Sequence, residues 1–156
     1  MTITADLAKG CLEVDGARFA VSCRVRALRD GTRRSDEVTR AIPGGAPYDP
    51  RPFPKGTWRI TGIERQKDKK FDPAVYGPVK IRTDAWQEVK AWELDGDGDY
   101  LRETERAVRD EGYLLHYSES RTTLGCIRLA SPEDAETIAA VIEKVLATEP
   151  VYIEAT

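Results

Sequence analysis

Along the first third of the chain, apolar residues recur at every second position. Leu12 and Val14 alternate with polar neighbours, Asp15-Gly16 follows, and Phe19, Val21, Cys23 and Val25 resume the alternation. Period two predicts a β-hairpin with one buried face over Cys11 to Leu28, turning at Asp-Gly. Residues 29 to 56 break the pattern. The segment IPGGAPYDPRPFPKG holds five of the nine prolines and three glycines, which predicts loop and excludes helix or central strand. TWRITGIE (57–64) returns to strand character, RQKDKKFDPAVYGP reads as a charged loop, and VKIRT (79–83) as a short strand.

Residues 84 to 112 are ambiguous. Trp86 and Val89 fit a helical face, and LRETERAVRD is built of helix formers throughout. GYLLHYS then reads as a buried strand. From Ser131 the pattern is helical to about residue 147: Ser131 is placed as N-cap, Pro132 at the first helical position and Asp134 to close a capping box. Ile138, Val141, Ile142 and Val145 form its apolar stripe. VYIEA closes as a strand. The expectation is one domain over 1–156, mainly β with α (α+β), with one main helix.

Composition narrows the classes. Charged side chains are 33% of the chain, and 24 basic against 27 acidic residues leave a net charge of −3. Mixed charge of that kind lacks the concentrated basic face of a nucleic-acid binder. Six arginines lie between Arg24 and Arg40, but Asp30, Asp36 and Glu37 interrupt them, as in a solvated strand edge and loop. No apolar run approaches the ~18 residues of a membrane span. MTITADLAKG shows no signal-peptide pattern, so the expectation is a cytoplasmic chain, one exported by another route, or one that has lost a leader.

The candidate chemistry is sparse. Asp95, Asp97 and Asp99 suggest a calcium loop, yet Tyr100 and Arg106 occupy the positions that need Gly and Glu. One His and three scattered Cys give no zinc set, and no phosphate-binding glycine loop occurs, so no metal and no cofactor is expected. Ser118 and Ser120 sit in no nucleophile-elbow pattern. The hairpin register sets Cys11 opposite Ala20, which argues against a Cys11–Cys23 bridge and suggests small buried apolar roles for both. His116 and Cys126 remain. A thiol becomes nucleophilic at neutral pH when an imidazole, a positive charge or oriented N–H groups stabilise the thiolate. His116 stands at a strand end, Gly125 lets backbone approach, and Arg128 lies two residues beyond the sulfur. The same residues also fit a core cysteine and a surface histidine.

The segment Thr123-Leu124-Gly125-Cys126-Ile127-Arg128, preceded by His116, resembles the Ser/Thr-x-Gly-Cys-Ile/Val-Arg signature of L,D-transpeptidase catalytic domains (YkuD-like). Pro54, Gly56, Trp58 and Ile60 resemble the family's Pro-x-Gly-x-aromatic-x-Ile strand entry, and VYGPVKI its next loop and strand. The resemblance covers most of residues 11 to 155. It implies a β-sandwich or barrel and cysteine acyl transfer on peptidoglycan stem peptides: transpeptidation, carboxypeptidase action or D-amino-acid exchange. Cys126 would be the nucleophile, and His116, the only imidazole, the base. Gly125 would supply the oxyanion turn, with Thr123 and Arg128 in support.

Three departures from the pattern stand out. Leu124 replaces a second histidine, Tyr117 replaces a glycine, and the His-to-Cys interval is short; Tyr117 and Leu124 become candidate substrate contacts. Lean motifs of this kind resemble those of secreted interbacterial toxins and phage lysins. That likeness implies action in the periplasm or cell wall after non-classical delivery, with an immunity or secretion-machine protein as a further partner. The competing expectation is a non-catalytic module of the same fold that binds cell-wall peptides or a protein. A cysteine peptidase of the NlpC/P60 kind would place its cysteine before its histidine, the reverse of the order here.

Overall fold

A computed structural model describes residues 1–25, 40–41 and 47–156. The basic stretch after Val25 lies almost wholly outside the described residues. Twelve strands are described: β1 (Thr2–Asp6), β2 (Cys11–Val14), β3 (Ala17–Ser22), β4 (Arg40–Ala41), β5 (Pro47–Tyr48), β6 (Gly56–Arg65), β7 (Val79–Thr83), β8 (Trp86–Leu94), β9 (Tyr100–Glu111), β10 (Leu114–Tyr117), β11 (Ile127–Leu129) and β12 (Tyr152–Ala155). The helices are α1 (Pro73–Tyr76) and α2 (Pro132–Leu146).

Eight strands close a barrel in the order β1-β12-β6-β7-β10-β11-β3-β2. Their alternation explains the core. Ile3, Leu12, Ile60, Ile81, Leu115, Ile127, Leu129 and Ile153 are fully buried and cluster with Ile138 and Ile142 of α2. The helix packs against β6, β7, β10 and β11. Ser131 caps it by accepting the Asp134 N–H at 3.0 Å, with Pro132 in its first turn. The first hairpin turns at Asp15 (φ 48°) and Gly16 (φ 79°), and Cys11 pairs with Ala20 as the two-residue turn dictates. All three cysteines are free thiols.

Residues 84–112 are not helical. They form the long β8–β9 hairpin, which joins β4 and β5 in a second, four-stranded sheet of order β4-β5-β8-β9. The aspartates suggested as a calcium loop make its turn: Asp95 Oδ1 accepts the N–H groups of Asp97 (2.9 Å) and Asp99 (3.0 Å). Register shifts at Lys90/Trp92 and Glu93/Leu94 interrupt the period-two pattern. Cross-strand pairing and a small cluster of Tyr48, Val89 and Ala91 outweigh the helix propensity of LRETERAVRD. The proline-rich segment holds a second surprise. Tyr48 in β5 pairs with both Arg40 and Ala91, so this two-residue strand lies between neighbours despite Pro47.

Candidate active site

The loop from residue 118 to 126 returns the chain so that β11 runs parallel to β10. Registered pairs are Leu115↔Ile127, His116↔Arg128 and Tyr117↔Leu129. Leu115, Ile127 and Leu129 point into the core, so His116 and Arg128 share the opposite face. Cys126 stands one residue ahead of β11 and two before Arg128; extending the β11 alternation by one residue assigns its side chain to that face, and its electrostatic influence on Lys80 there agrees. Both functional groups are covered: His116 is 4% exposed and Cys126 5%.

Gly125 makes the turn before Cys126 with φ 109°, a backbone that side-chain-bearing residues rarely adopt. A Cβ there would lie 2.6 Å from the Tyr113 ring and would collide with the Arg51 carbonyl. Thr123 closes the turn from inside: its hydroxyl donates to the Cys126 carbonyl at 2.7 Å and accepts the Gly125 N–H at 3.3 Å. It therefore organises the loop rather than His116.

His116 Nδ1–H donates to the Tyr117 carbonyl at 2.7 Å. A carbonyl can only accept, so the neutral ring carries its lone pair on Nε2. Burial lowers the pKa of His116; the Tyr117 and Val75 carbonyls oppose that shift, while Lys80 and Arg128 add to it. The Tyr76 ring packs against the imidazole with centroids 5.3 Å apart.

Two cations share the face. Arg128 Nε donates to the Ser118 carbonyl at 2.8 Å, and its guanidinium lies over the Tyr117 ring. Lys80 of β7 is in register with His116, and its ammonium sits 3.8 Å from the Tyr76 centroid and 4.4 Å from that of Phe71. Burial lowers the Lys80 pKa and Glu64 opposes that shift, with a smaller contribution from Cys126; Lys80 in turn acts on His116. Glu64 is in register with Lys80 on β6, but its carboxylate is held by Arg82 at 2.7 Å and Lys69 at 3.0 Å. The suggested substrate contacts Tyr117 and Leu124 are both half-buried. The Tyr117 side chain lies where a Cβ on Gly77 would sit, and Leu124 packs with Tyr100, Trp92 and Leu94 of the long hairpin.

Several supports escape sequence reasoning. Cys23 is more than a filler: its thiol donates to the Gly125 carbonyl at 3.4 Å and accepts the Phe53 N–H at 3.1 Å. Burial pushes that thiol up to about 11, which keeps the S–H proton in place. Buried Asp110 accepts the Tyr48 and Tyr113 hydroxyls, each at 2.5 Å, and Gln87 Nε2 donates to the Tyr113 hydroxyl and to the Pro52 carbonyl. Through the Tyr113 ring this network backs Gly125. The strand entry is tied by Trp58 Nε1, which donates to the Pro54 carbonyl at 2.9 Å. Lys80 was within reach of the alternation in VKIRT, which turns it away from Val79 and Ile81. Nothing local marks Cys23 or Asp110.

Among the described residues no group of three His, Cys, Asp or Glu side chains could hold a metal ion. No helix there is long and apolar enough to cross a membrane. The family model of the YkuD L,D-transpeptidase catalytic domain matches residues 19–153. No curated protein and no solved structure matches the chain.

Proposed function

Because the chain belongs to the L,D-transpeptidase catalytic-domain family, whose chemistry is on peptidoglycan, we propose that Cys126 and His116 carry out cysteine acyl transfer on stem peptides. The observation that carries this reading is the held imidazole. The Tyr117 carbonyl accepts from Nδ1–H, which leaves Nε2 as the basic ring nitrogen that this reading needs.

In this mechanism His116 Nε2 takes the thiol proton, and the thiolate attacks the carbonyl of the diamino-acid residue that precedes a terminal D-amino acid. The carbonyl π electrons move to oxygen. Backbone N–H groups of the Gly125–Cys126 turn receive that oxyanion, each such donor contributing roughly 3 kcal/mol. The Gly125 N–H rests on Thr123 Oγ1 at 3.3 Å, a long bond that a developing anion outcompetes. The C–N bond then breaks, the imidazolium protonates the departing amine, and a thioester remains on Cys126. An amine acceptor gives a cross-link or exchange product; water gives carboxypeptidase action.

Cys126→Ala deletes only the sulfur at a glycine-backed turn. It is expected to abolish turnover of stem tetrapeptides while leaving their binding within a few-fold. Mass spectrometry of muropeptides incubated with each protein, amine acceptors supplied and Cys126 reduced, reads the outcome. If wild-type protein leaves tetrapeptide muropeptides unchanged, the enzyme reading falls and a binding module of the same fold takes its place.

A further inference from the structure

We propose that Lys80 is a specificity-determining residue that receives the free carboxylate of the acyl donor, the one borne by the C-terminal residue that leaves. This inference rests on the acyl-transfer reading above.

Sheet register lines up Glu64, Lys80, His116, Arg128 and Ser22 across β6, β7, β10, β11 and β3, all on the face that carries Cys126. Within this row the charges are partnered unevenly. Glu64, the one carboxylate in the row, is occupied by Arg82 and Lys69. Arg128 is engaged by the Ser118 carbonyl and the Tyr117 ring. Lys80 has no carboxylate within ion-pair distance among the described residues; two aromatic faces hold its ammonium instead. A half-buried cation whose nearest carboxylate, Glu64, is already shared between Arg82 and Lys69 loses hydration without a full counter-charge. An incoming anion restores that balance. In an acyl donor cleaved one residue from its end, the terminal carboxylate lies only a few bonds from the scissile carbonyl. Among the described cations of this row, Lys80 is the one whose charged group meets it without giving up a hydrogen-bond or ion-pair partner. Phe71 and Tyr76 set the direction of the side chain, and Asp72 helps fix that pair of rings by capping α1.

The test compares a stem tetrapeptide ending in a free D-amino-acid carboxylate with its C-terminal carboxamide. Affinities are measured by calorimetry on Cys126→Ala protein, so that no turnover intervenes. The acid is expected to bind about tenfold or more tighter than the amide, as a charge-assisted contact implies. Adding Lys80→Met, which keeps the stem over the rings, is expected to bring the two ligands within about twofold, and Lys80→Arg to restore most of the preference. Thermal melts of each variant verify that it is folded. Acid and amide bound equally by the Cys126→Ala protein, or a preference that survives Lys80→Met, overturns the proposal. So does the absence of binding to either ligand. In that last case turnover of the tetrapeptide by wild-type protein keeps the acyl-transfer reading alive, and its absence removes both. A lysine that acted only on the sulfur would instead slow iodoacetamide labelling of Cys126 in Lys80→Met and leave the acid-to-amide ratio unchanged, which also counts against carboxylate recognition.

Discussion

At the scale of single residues, His116 ties stability to pH. Its pKa is lowered by burial, with Lys80 and Arg128 adding to the shift. The unfolded ring titrates near the ordinary value of about 6.5. Between the folded value and that one, the unfolded chain binds a proton that the folded chain does not. The stability that comes from a neutral ring is therefore complete above about pH 6.5 and is lost as pH falls through the folded value. Urea melts at about pH 7.5 and about pH 5 are expected to show a larger loss for wild type than for His116→Gln. Equal losses in the two proteins would place the pH dependence elsewhere. That His116 is the imidazole to propose beside Cys126 follows from residue types alone, because thiolate chemistry needs an imidazole and the chain has one. The tautomer does not, since it depends on where the Tyr117 carbonyl points.

At the scale of elements, the long β8–β9 hairpin is where local preference and tertiary pairing part. LRETERAVRD prefers helix when judged residue by residue, yet β9 runs twelve residues as a strand because β8 pairs with it along most of its length. Helix α2 shows the opposite case, in which cap, first-turn proline and apolar stripe all agree and the element forms where the pattern places it. The hairpin reaches the candidate site through Asp110, which holds Tyr113 against Gly125. Asp110→Ala would remove the carboxylate that accepts from two buried hydroxyls and is expected to cost about 3 kcal/mol in guanidinium melts. Turnover should fall in the same variant as the Gly125 turn loosens, whereas Asp110→Asn, which retains one acceptor oxygen, should lose less of both. Wild-type turnover in a well-folded Asp110→Ala protein would disconnect the hairpin from the site.

At the scale of the whole molecule, closure of the barrel depends on β12, which runs parallel to β1 and antiparallel to β6. Ile153 is fully buried between Ile3 and Trp58, its registered neighbours. Ile153→Ala is expected to cost about 2–5 kcal/mol of stability. Labelling of Cys126 by iodoacetamide in the folded state should hardly change, because the site lies on β10 and β11. A variant as stable as wild type would mean that β12 contributes little to closure. The sequence by itself determined which segments alternate, where α2 begins, how the first hairpin pairs, and the family resemblance that makes His116, Gly125 and Cys126 the proposed site. Each of these is carried by neighbours a few positions apart, through sterics and the period of side-chain direction. Only the tertiary structure decided that residues 84–112 are strands, that Cys23 and Asp110 stand behind the Gly125 turn, and that Lys80 shares a row with His116 while Glu64 is bonded to Arg82 and Lys69. Those outcomes depend on the register between strands distant in sequence, which is set when the barrel closes and the whole core chooses one pairing.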